Sequence, residues 1–284
     1  MQKAEKMQAL REFAAEIRVE TLKTIGSLGF GHVGGSMSIV EAMAVLYGDV
    51  MKVDPKNPRW EDRDWCVLSK GHAGPCAYAT LALKGFYPLE ETRTLNKPST
   101  NFPSHTDRTK TPGVDLTTGS LGQGMSTATG AALGNKIDGR DNHVYVFVGD
   151  GECDEGQVWE AAQFAAHYKL DNLTCFVDNN KNQLDGPVDT VMSHGKGIGA
   201  KFDAFGWNVI DVADGNDVEQ IYDAVQEALT VKGVPTCIVL NTIKGKGATF
   251  AEPSGAHSSQ PSPEQWEEAI AAAEAELAAV KAAK

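Results

Sequence analysis

The sequence predicts an α/β fold, a doubly wound, mainly parallel sheet flanked by helices. Three observations lead there. Short, mostly apolar runs rich in β-branched and aromatic residues recur at 64–69, 144–148, 174–177, 207–212 and 236–241. Runs of that length and texture are how strands buried on both faces read. Stretches with apolar residues at helical spacing lie between them, so strand and helix alternate. Several runs end in glycine turns carrying polar side chains, where open α/β sheets bind ligands.

Composition narrows the class. The 284 residues suit one large domain, 1–284, with 259–284 as a helical C-terminal tail. Twenty-six basic against 38 acidic side chains leave a net charge of −12. That balance argues against nucleic acid or an anionic membrane as partner. Five cysteines, at 66, 76, 153, 175 and 237, form no C-x-x-C pair. They read as reduced core thiols of a cytoplasmic protein, with Cys153 the one suspect for reactivity. The chain is charged from Lys3 onward and has no 18-residue apolar run, so neither signal peptide nor membrane span is expected.

The first element, 3–27, is an amphipathic helix with Leu10, Phe13, Ile17, Thr21 and Ile25 at helical spacing. A glycine-rich turn, Gly26 to Gly35, holds Gly31-His32-Val33-Gly34-Gly35-Ser36, and a helix follows over roughly 38–51. On these residues alone His32 is either a tolerated turn residue or a functional one. The strand at 64–69 runs into Lys70-Gly71-His72-Ala73-Gly74 and a helix to about Lys84. His72 thereby stands at a helix N-terminus, where an anion can sit, although a merely capping histidine fits too. Residues 88–118 are rich in Pro, Thr, Asn and Ser and lack any period. A loop that long is more often functional than idle, and it contains His105. Thr117-Thr118-Gly119-Ser120-Leu121-Gly122-Gln123-Gly124 then opens a helix of small residues. It is no P-loop, since Gly-Lys-Ser/Thr does not follow, and no dinucleotide fingerprint, since its third glycine is misplaced.

The centre of the chain is a βαβ unit. Val144 to Val148 ends in Gly149-Asp150-Gly151, a helix covers 157–168, and Thr174 to Val177 ends in Asp178-Asn179-Asn180. Asp150 offers a carboxylate and Asn180 an amide oxygen at the tips of two parallel strands. Hard oxygen ligands of low total charge suit Mg²⁺ or Ca²⁺ already carrying phosphates, not zinc. Gly149 and Gly151 let the backbone approach a bulky anion, and the next helix offers free N–H groups. A glycine turn beside solvated asparagines is the plainer alternative. Further on, Leu184 to Pro187 is a turn, and helices at 198–205 and 218–230 alternate with the last two strands. Lys244-Gly245-Lys246-Gly247 can hold phosphate, but reads first as two solvated lysines. Residues 265–284 form a helix rich in Ala and Glu, with no chemistry of its own. His143, His167 and His194 read as ordinary surface residues.

These motifs resemble those of the transketolases. Gly-Asp-Gly followed some thirty residues later by Asn-Asn looks like the thiamine-diphosphate signature, and Thr118-Gly-Ser-Leu-Gly-Gln-Gly124 closely resembles a transketolase segment. The resemblance covers about residues 10–258 and implies the thiamine-diphosphate-binding fold of the diphosphate (PP) module. It implies that His32, His105 and His257 serve the sugar substrate as catalytic or hydrogen-bonding groups. Val33 stands where the family has proline, Ser104 and Thr106 flank His105 where it has Gly and Pro, and Ser258 replaces glycine after His257. It also implies that His72 and His257 reach the diphosphate, and that the backbone at Gly119, Ser120 and Leu121 meets the cofactor's rings. Gly149, Asp150, Gly151 and Asn180 complete the cofactor site. Mg²⁺, with Ca²⁺ or Mn²⁺ as substitutes, would take Asp150, Asn180 and the backbone carbonyl of Asn182. Glu155 matches a family glutamate in a carboxylate network between active sites, though a helix N-terminal acid fits equally.

In the family, a carboxylate that activates the aminopyrimidine and the aromatics that stack on it come from a second, pyrimidine-binding module. We therefore expect this chain to be the N-terminal subunit of a split transketolase, completed by a C-terminal subunit in an α2β2 heterotetramer. It would transfer a two-carbon ketol unit from a ketose to an aldose, as in the pentose phosphate pathway. Pentose phosphates, sulfosugars and branched sugars all stay open as substrates. A subunit of another thiamine enzyme, such as a 2-oxoacid dehydrogenase or a deoxyxylulose phosphate synthase, is the alternative. A non-catalytic cofactor-binding regulator is the other.

Overall fold

The computed structural model describes residues 2–283, so Met1 and Lys284 lie outside the described residues. Five strands form the sheet: β1 (Trp65–Leu68), β2 (Val144–Gly149), β3 (Leu173–Asp178), β4 (Asn208–Val212) and β5 (Thr236–Leu240). Their order is β1-β2-β3-β5-β4, and every pairing is parallel. In-register pairing of Val144 with Leu173 and Gly149 with Asp178 brings the tips of β2 and β3 side by side.

Both faces of the sheet are covered, which explains the unbroken apolar runs. Tyr145, Phe147, Phe176, Ile238 and Leu240 point to one side, into a core shared with the long first helix and its neighbours. Phe147 stacks on Phe176 with centroids 4.7 Å apart. Val144, Val146, Val148, Cys175, Val177, Cys237 and Val239 point to the other. Alternation along each strand thus fills two cores from one run. Truncating Phe147 to Ala would cost about 3–5 kcal/mol, as large-to-small changes in such cores do.

The first face carries α1 (Lys3–Gly26), α3 (Val40–Val45), α4 (Gly74–Leu83), α9 (Val218–Thr230) and α10 (Pro263–Ala282). Leu10, Ile17, Thr21 and Ile25 of α1 are buried, Phe13 partly so, and α10 packs along α1 through Trp266, Ala269 and Ala273. The second face carries α5 (Gln123–Ile137), α6 (Gly156–His167) and α8 (Ile198–Ala204). Two expectations needed correction. The glycine turn around His32 is shorter than predicted, because α2 (Val33–Met37) starts directly after it. The helix expected over 38–51 is present from Val40 to Val50, but only its first part is α-helical: α3 passes at Leu46 directly into a π turn, Leu46–Val50. There Gly48 lies against Leu10, whose side chain would have to move to admit a Cβ.

All five cysteines are free and buried. Burial pushes the Cys153 thiol far above its ordinary range, so it is an inert core residue. No helix among the described residues is long and apolar enough to cross a membrane.

Candidate active site

The carboxyl ends of β1, β2 and β3 open into a cavity of about 300 Å³. Its lining includes Asp150, Asn180 and Asn182 from the two central strand tips. The Asp150 carboxylate accepts hydrogen bonds from Gly151 N at 2.7 Å and Lys181 N at 2.6 Å. Lys181 adopts a left-handed backbone (φ 67°), a placement costing about 1–2 kcal/mol for a side-chain-bearing residue. The Asn180 amide is oriented from both ends: Nδ2 donates to Asp178 at 2.9 Å, and Oδ1 accepts from Asn182 N at 3.1 Å.

Four histidines surround the same space. His32 caps α2, His72 sits in the 3₁₀ turn before α4, His105 comes from the long irregular loop, and His257 from the segment before α10. The His32 ring lies 5.4 Å from His72, 5.4 Å from His105 and 5.3 Å from His257, and His72 and His257 are 4.7 Å apart, centre to centre. Glycines permit this convergence. A Cβ on Gly34 would come within 2.3 Å of the Ala256 carbonyl, and one on Gly124 within 2.5 Å of Ser69 Cα. Burial lowers all four imidazoles, His257 to about 4, with the Lys244 charge next in weight there. At neutral pH they are uncharged, each able to donate at one nitrogen and accept at the other.

Fixed positive charge comes from two lysines. Lys70 is 1 % exposed and donates to Asp178 at 2.5 Å and to Gly35 O at 2.7 Å. Burial pushes the Asp178 carboxyl up, but the charge and hydrogen bond of Lys70, with Ser38 and Thr242, outweigh it and hold it below its ordinary range. Lys244 is 3 % exposed and donates to the Asn182 carbonyl at 2.5 Å and the Gln183 carbonyl at 3.2 Å. Burial lowers it to about 8. Asp150 moves the other way: burial, then the Asp178 charge, pushes it up to about 7. An acid so destabilised beside an amide oxygen and a backbone carbonyl is an electrostatic setting that a divalent cation would relieve. The oxygen donors therefore fit Mg²⁺, and no cluster of three or more His, Cys, Asp or Glu suited to a metal occurs among the described residues.

Beneath the cavity, Glu152 ties three segments together. It is 2 % exposed and accepts from the Ser69 hydroxyl, from Gly122 N at 2.7 Å and from Gly149 N at 3.1 Å. Glu152 thus links the tips of β1 and β2 to the start of α5.

Of the residues singled out from the sequence, His32, His72, His105, Gly119, Leu121, Gly149, Asp150, Gly151, Asn180, Asn182 and His257 all line this cavity. Ser120 and Glu155 do not. Ser120 is exposed and its hydroxyl accepts from Gln123 Nε2 at 3.2 Å, while Glu155 stands exposed at the start of α6. Lys244 corrects the expectation of a solvated lysine, and His194 and His143 correct that of surface histidines. His194 is 8 % exposed and bonded to the Asp150 carbonyl. His143 is half-buried, bonds Thr174 Oγ1 at 2.8 Å and packs on Tyr145. His167 is exposed, as expected. Lys70, Asp178 and Glu152 belong to the site although sequence reasoning does not single them out. Their signal is a charged residue directly at the end of, or just past, an apolar strand, where burial demands a partner.

Comparison with known proteins agrees with this geometry. The family described as "Transketolase, thiamine diphosphate binding domain" matches residues 10–277. The chain is 50 % identical over 268 residues to the 6-deoxy-6-sulfo-D-fructose transketolase subunit of Clostridium sp. (strain MSTE9), covering 94 % of this chain and 97 % of that one. It is 37 % identical over 241 residues to one of the named subunits of the apulose-4-phosphate transketolase of Phocaeicola vulgatus, covering 84 % and 85 %. Among solved structures, Pichia stipitis transketolase (R356L, with fructose 6-phosphate) superimposes with a TM-score of 0.85 at 28 % identity. That match takes in 96 % of this chain but only 44 % of the other, so the chain spans less than half of that enzyme's length.

Proposed function

This chain belongs to the transketolase family, as its thiamine diphosphate binding domain, and from that premise we propose that it is the N-terminal subunit of a two-chain transketolase. One observation carries the reading: four neutral imidazoles, a buried lysine and an Asp150–Asn180–Asn182 oxygen set face a single cavity at the carboxyl end of the sheet. Two relatives named as transketolase subunits are matched over 97 % and 85 % of their own length, which supports a separate partner chain.

Thiamine diphosphate, when bound, supplies the electron sink needed to break and make the carbon–carbon bond. Asp150, Asn180 and the Asn182 carbonyl would hold Mg²⁺, with Lys244 and His72 available to the diphosphate oxygens. Loading requires the Lys244 ammonium to share or release Asn182 O. His32, His105 and His257 would hold the sugar's hydroxyl and carbonyl oxygens and pass protons there, a role open to an imidazole neutral at working pH. Gly119 and Leu121 would flank the cofactor's rings. Glu155, outside the cavity, would act only through a partner chain. Residues 1–284 would work as one diphosphate-binding unit, in the cytoplasm, within an α2β2 assembly.

The test is reconstitution. The chain alone should be inactive. Purified with a C-terminal transketolase subunit from the same organism, it should move a glycolaldehyde unit from a ketose to an aldose only with Mg²⁺ and thiamine diphosphate. Ketose phosphates and 6-deoxy-6-sulfo-fructose should be offered in parallel. Activity of the lone chain would sink the two-chain reading, and a complex that binds no thiamine diphosphate would sink the whole proposal.

A further inference from the structure

His194 has no part in the chemistry just described, yet it is buried and bonded on both sides of its ring. Nε2 lies 3.0 Å from the backbone carbonyl of Asp150, and Nδ1 lies 3.1 Å from Lys201 Nζ. A carbonyl only accepts and an ammonium only donates, so Nε2 carries the proton and Nδ1 is the acceptor. Both partners thus select one tautomer of a neutral ring. Lys201 is itself steadied over the Trp159 ring at 5.2 Å, and Asp154 Oδ1 stands 3.8 Å from Nδ1.

The position of this ring in the chain matters more than its bonds. Residues 182–197 leave the tip of β3, form one wall of the cavity through Asn182, Gln183, Leu184 and Asp185, and return to the start of α8. A bridge between Asn182 and Pro187 closes the outgoing limb, and α7 (Val188–Val191) follows. Val188 is buried, but Leu184, Val191 and Met192 are exposed, at 70 %, 40 % and 56 %, so apolar packing holds the outer part of the segment at a single residue. On the returning limb, His194 is the buried residue between exposed Ser193 and Gly195. Gln183 Nε2 ties the outgoing limb to Asp154 at 2.7 Å. The pin therefore runs from the cavity wall to the backbone of the acid at its centre.

We propose that His194 is a positioning residue: it locks the 182–197 segment onto the Asp150 turn, so that the wall and the oxygen donors form one preorganised pocket for a divalent cation–diphosphate pair. The proposal rests on the cofactor reading above. A group that orients a metal-binding residue from behind is worth roughly 10–100-fold in ligand affinity.

The variants are His194→Ala, which removes both bonds, His194→Gln, whose amide can donate to Asp150 O and accept from Lys201, and Lys201→Met, which frees Nδ1. Two measurements apply. Limited trypsin digestion of the chain without cofactor reads the lock directly, because Lys196 is an exposed cleavage site on the segment. Titration of thiamine diphosphate at fixed Mg²⁺ into the reconstituted complex reads the pocket. For His194→Ala we expect cleavage at Lys196 to speed up about 10-fold or more and half-saturation to rise roughly 10–100-fold. The loss should fall on half-saturation and not on kcat at saturating cofactor. His194→Gln should recover most of both, and Lys201→Met should shift both in the same direction by less. Unchanged cleavage in His194→Ala and Lys201→Met would overturn the lock. So would a fall in kcat with half-saturation unmoved. If His194→Ala does not fold, Lys201→Met decides alone. A wild-type complex that binds no thiamine diphosphate would instead break the cofactor reading, while the digestion result would still judge the lock.

Discussion

The two ends of the sheet hold similar groups in opposite conditions. At the amino end, Asp64 accepts from Lys52 N and His143 N, both at 2.8 Å. Asp115 accepts from the Arg63 guanidinium at 2.5 Å and from Cys66 N at 2.9 Å. Burial raises both carboxyls, but each is enclosed by donors from the chain itself. At the carboxyl end, Asp150 has only backbone N–H donors and faces open space, and burial with the Asp178 charge pushes it up to about 7. Lys244 is lowered to about 8 and His257 to about 4 beside it. Charged groups at the amino end complete a fold. At the carboxyl end Lys70, Asp178 and Glu152 are likewise paired within the chain, but Asp150, Lys244 and His257 face the cavity off balance. Electrostatic imbalance around a cavity marks a binding site.

Substitutions should separate the ends by which measurement moves. The largest effect belongs to Arg63→Met, which leaves Asp115 buried without its partner. Stability should drop by about 3–5 kcal/mol, lowering the melting temperature by roughly 10 °C, with cofactor affinity of the folded fraction intact. A cofactor titration that moved as well would blur the distinction. Asp150→Asn should do the reverse, raising the half-saturating cofactor concentration at least about 100-fold while the melting temperature of the cofactor-free chain holds or rises. Lys244→Met should weaken thiamine diphosphate by about 10–100-fold, the worth of a charged hydrogen bond; calorimetry showing equal affinity would return Lys244 to a structural role.

The last effect, read along a pH axis, is at the amino end. His143 titrates near 4 when folded, because burial and then the Lys232 charge disfavour its cation, against about 6.5 when unfolded. The unfolded chain therefore binds the extra proton between those values, and stability falls as pH drops through that window by about 1.4 kcal/mol per unit. His143→Gln should flatten the acid limb of a denaturation series between about pH 6.5 and 4.5. An identical limb would show that the ring protonates freely in the folded chain.

All five strands and most helix positions are legible in the sequence, because burial on both faces leaves an unbroken apolar run with sharp ends. The π turn at Leu46–Val50 is not, because apolar residues at helical spacing read the same whether the last turn is α or π. In the site, residues lying in glycine turns can be read, since the turn itself marks a close approach. Lys70, Asp178 and Glu152 carry no such mark. Their meaning depends on partners drawn from Ser38, Ser69, Gly122, Asn180 and Thr242, which only the folded chain assembles. Lys244 and His194 defeat a reading from sequence for one reason: side chains that usually seek water are here turned inward onto backbone carbonyls.

The carboxylate of Glu152 joins the ends of two strands and the start of α5 into one stiff floor. His105, by contrast, is borne by the long irregular loop, held partly by its own threonines and asparagine and partly by the scaffold. The Tyr78 hydroxyl donates to the Pro103 and His105 carbonyls, and the Thr118 hydroxyl donates to the Leu68 carbonyl. Floor and loop thus meet at a few bonds, to Tyr78 of α4 and to the end of β1. A loop exchange between relatives with different sugars that keeps Thr118 and the carbonyls facing Tyr78 should retune which substrate enters while leaving the bonds to Glu152 in the floor in place.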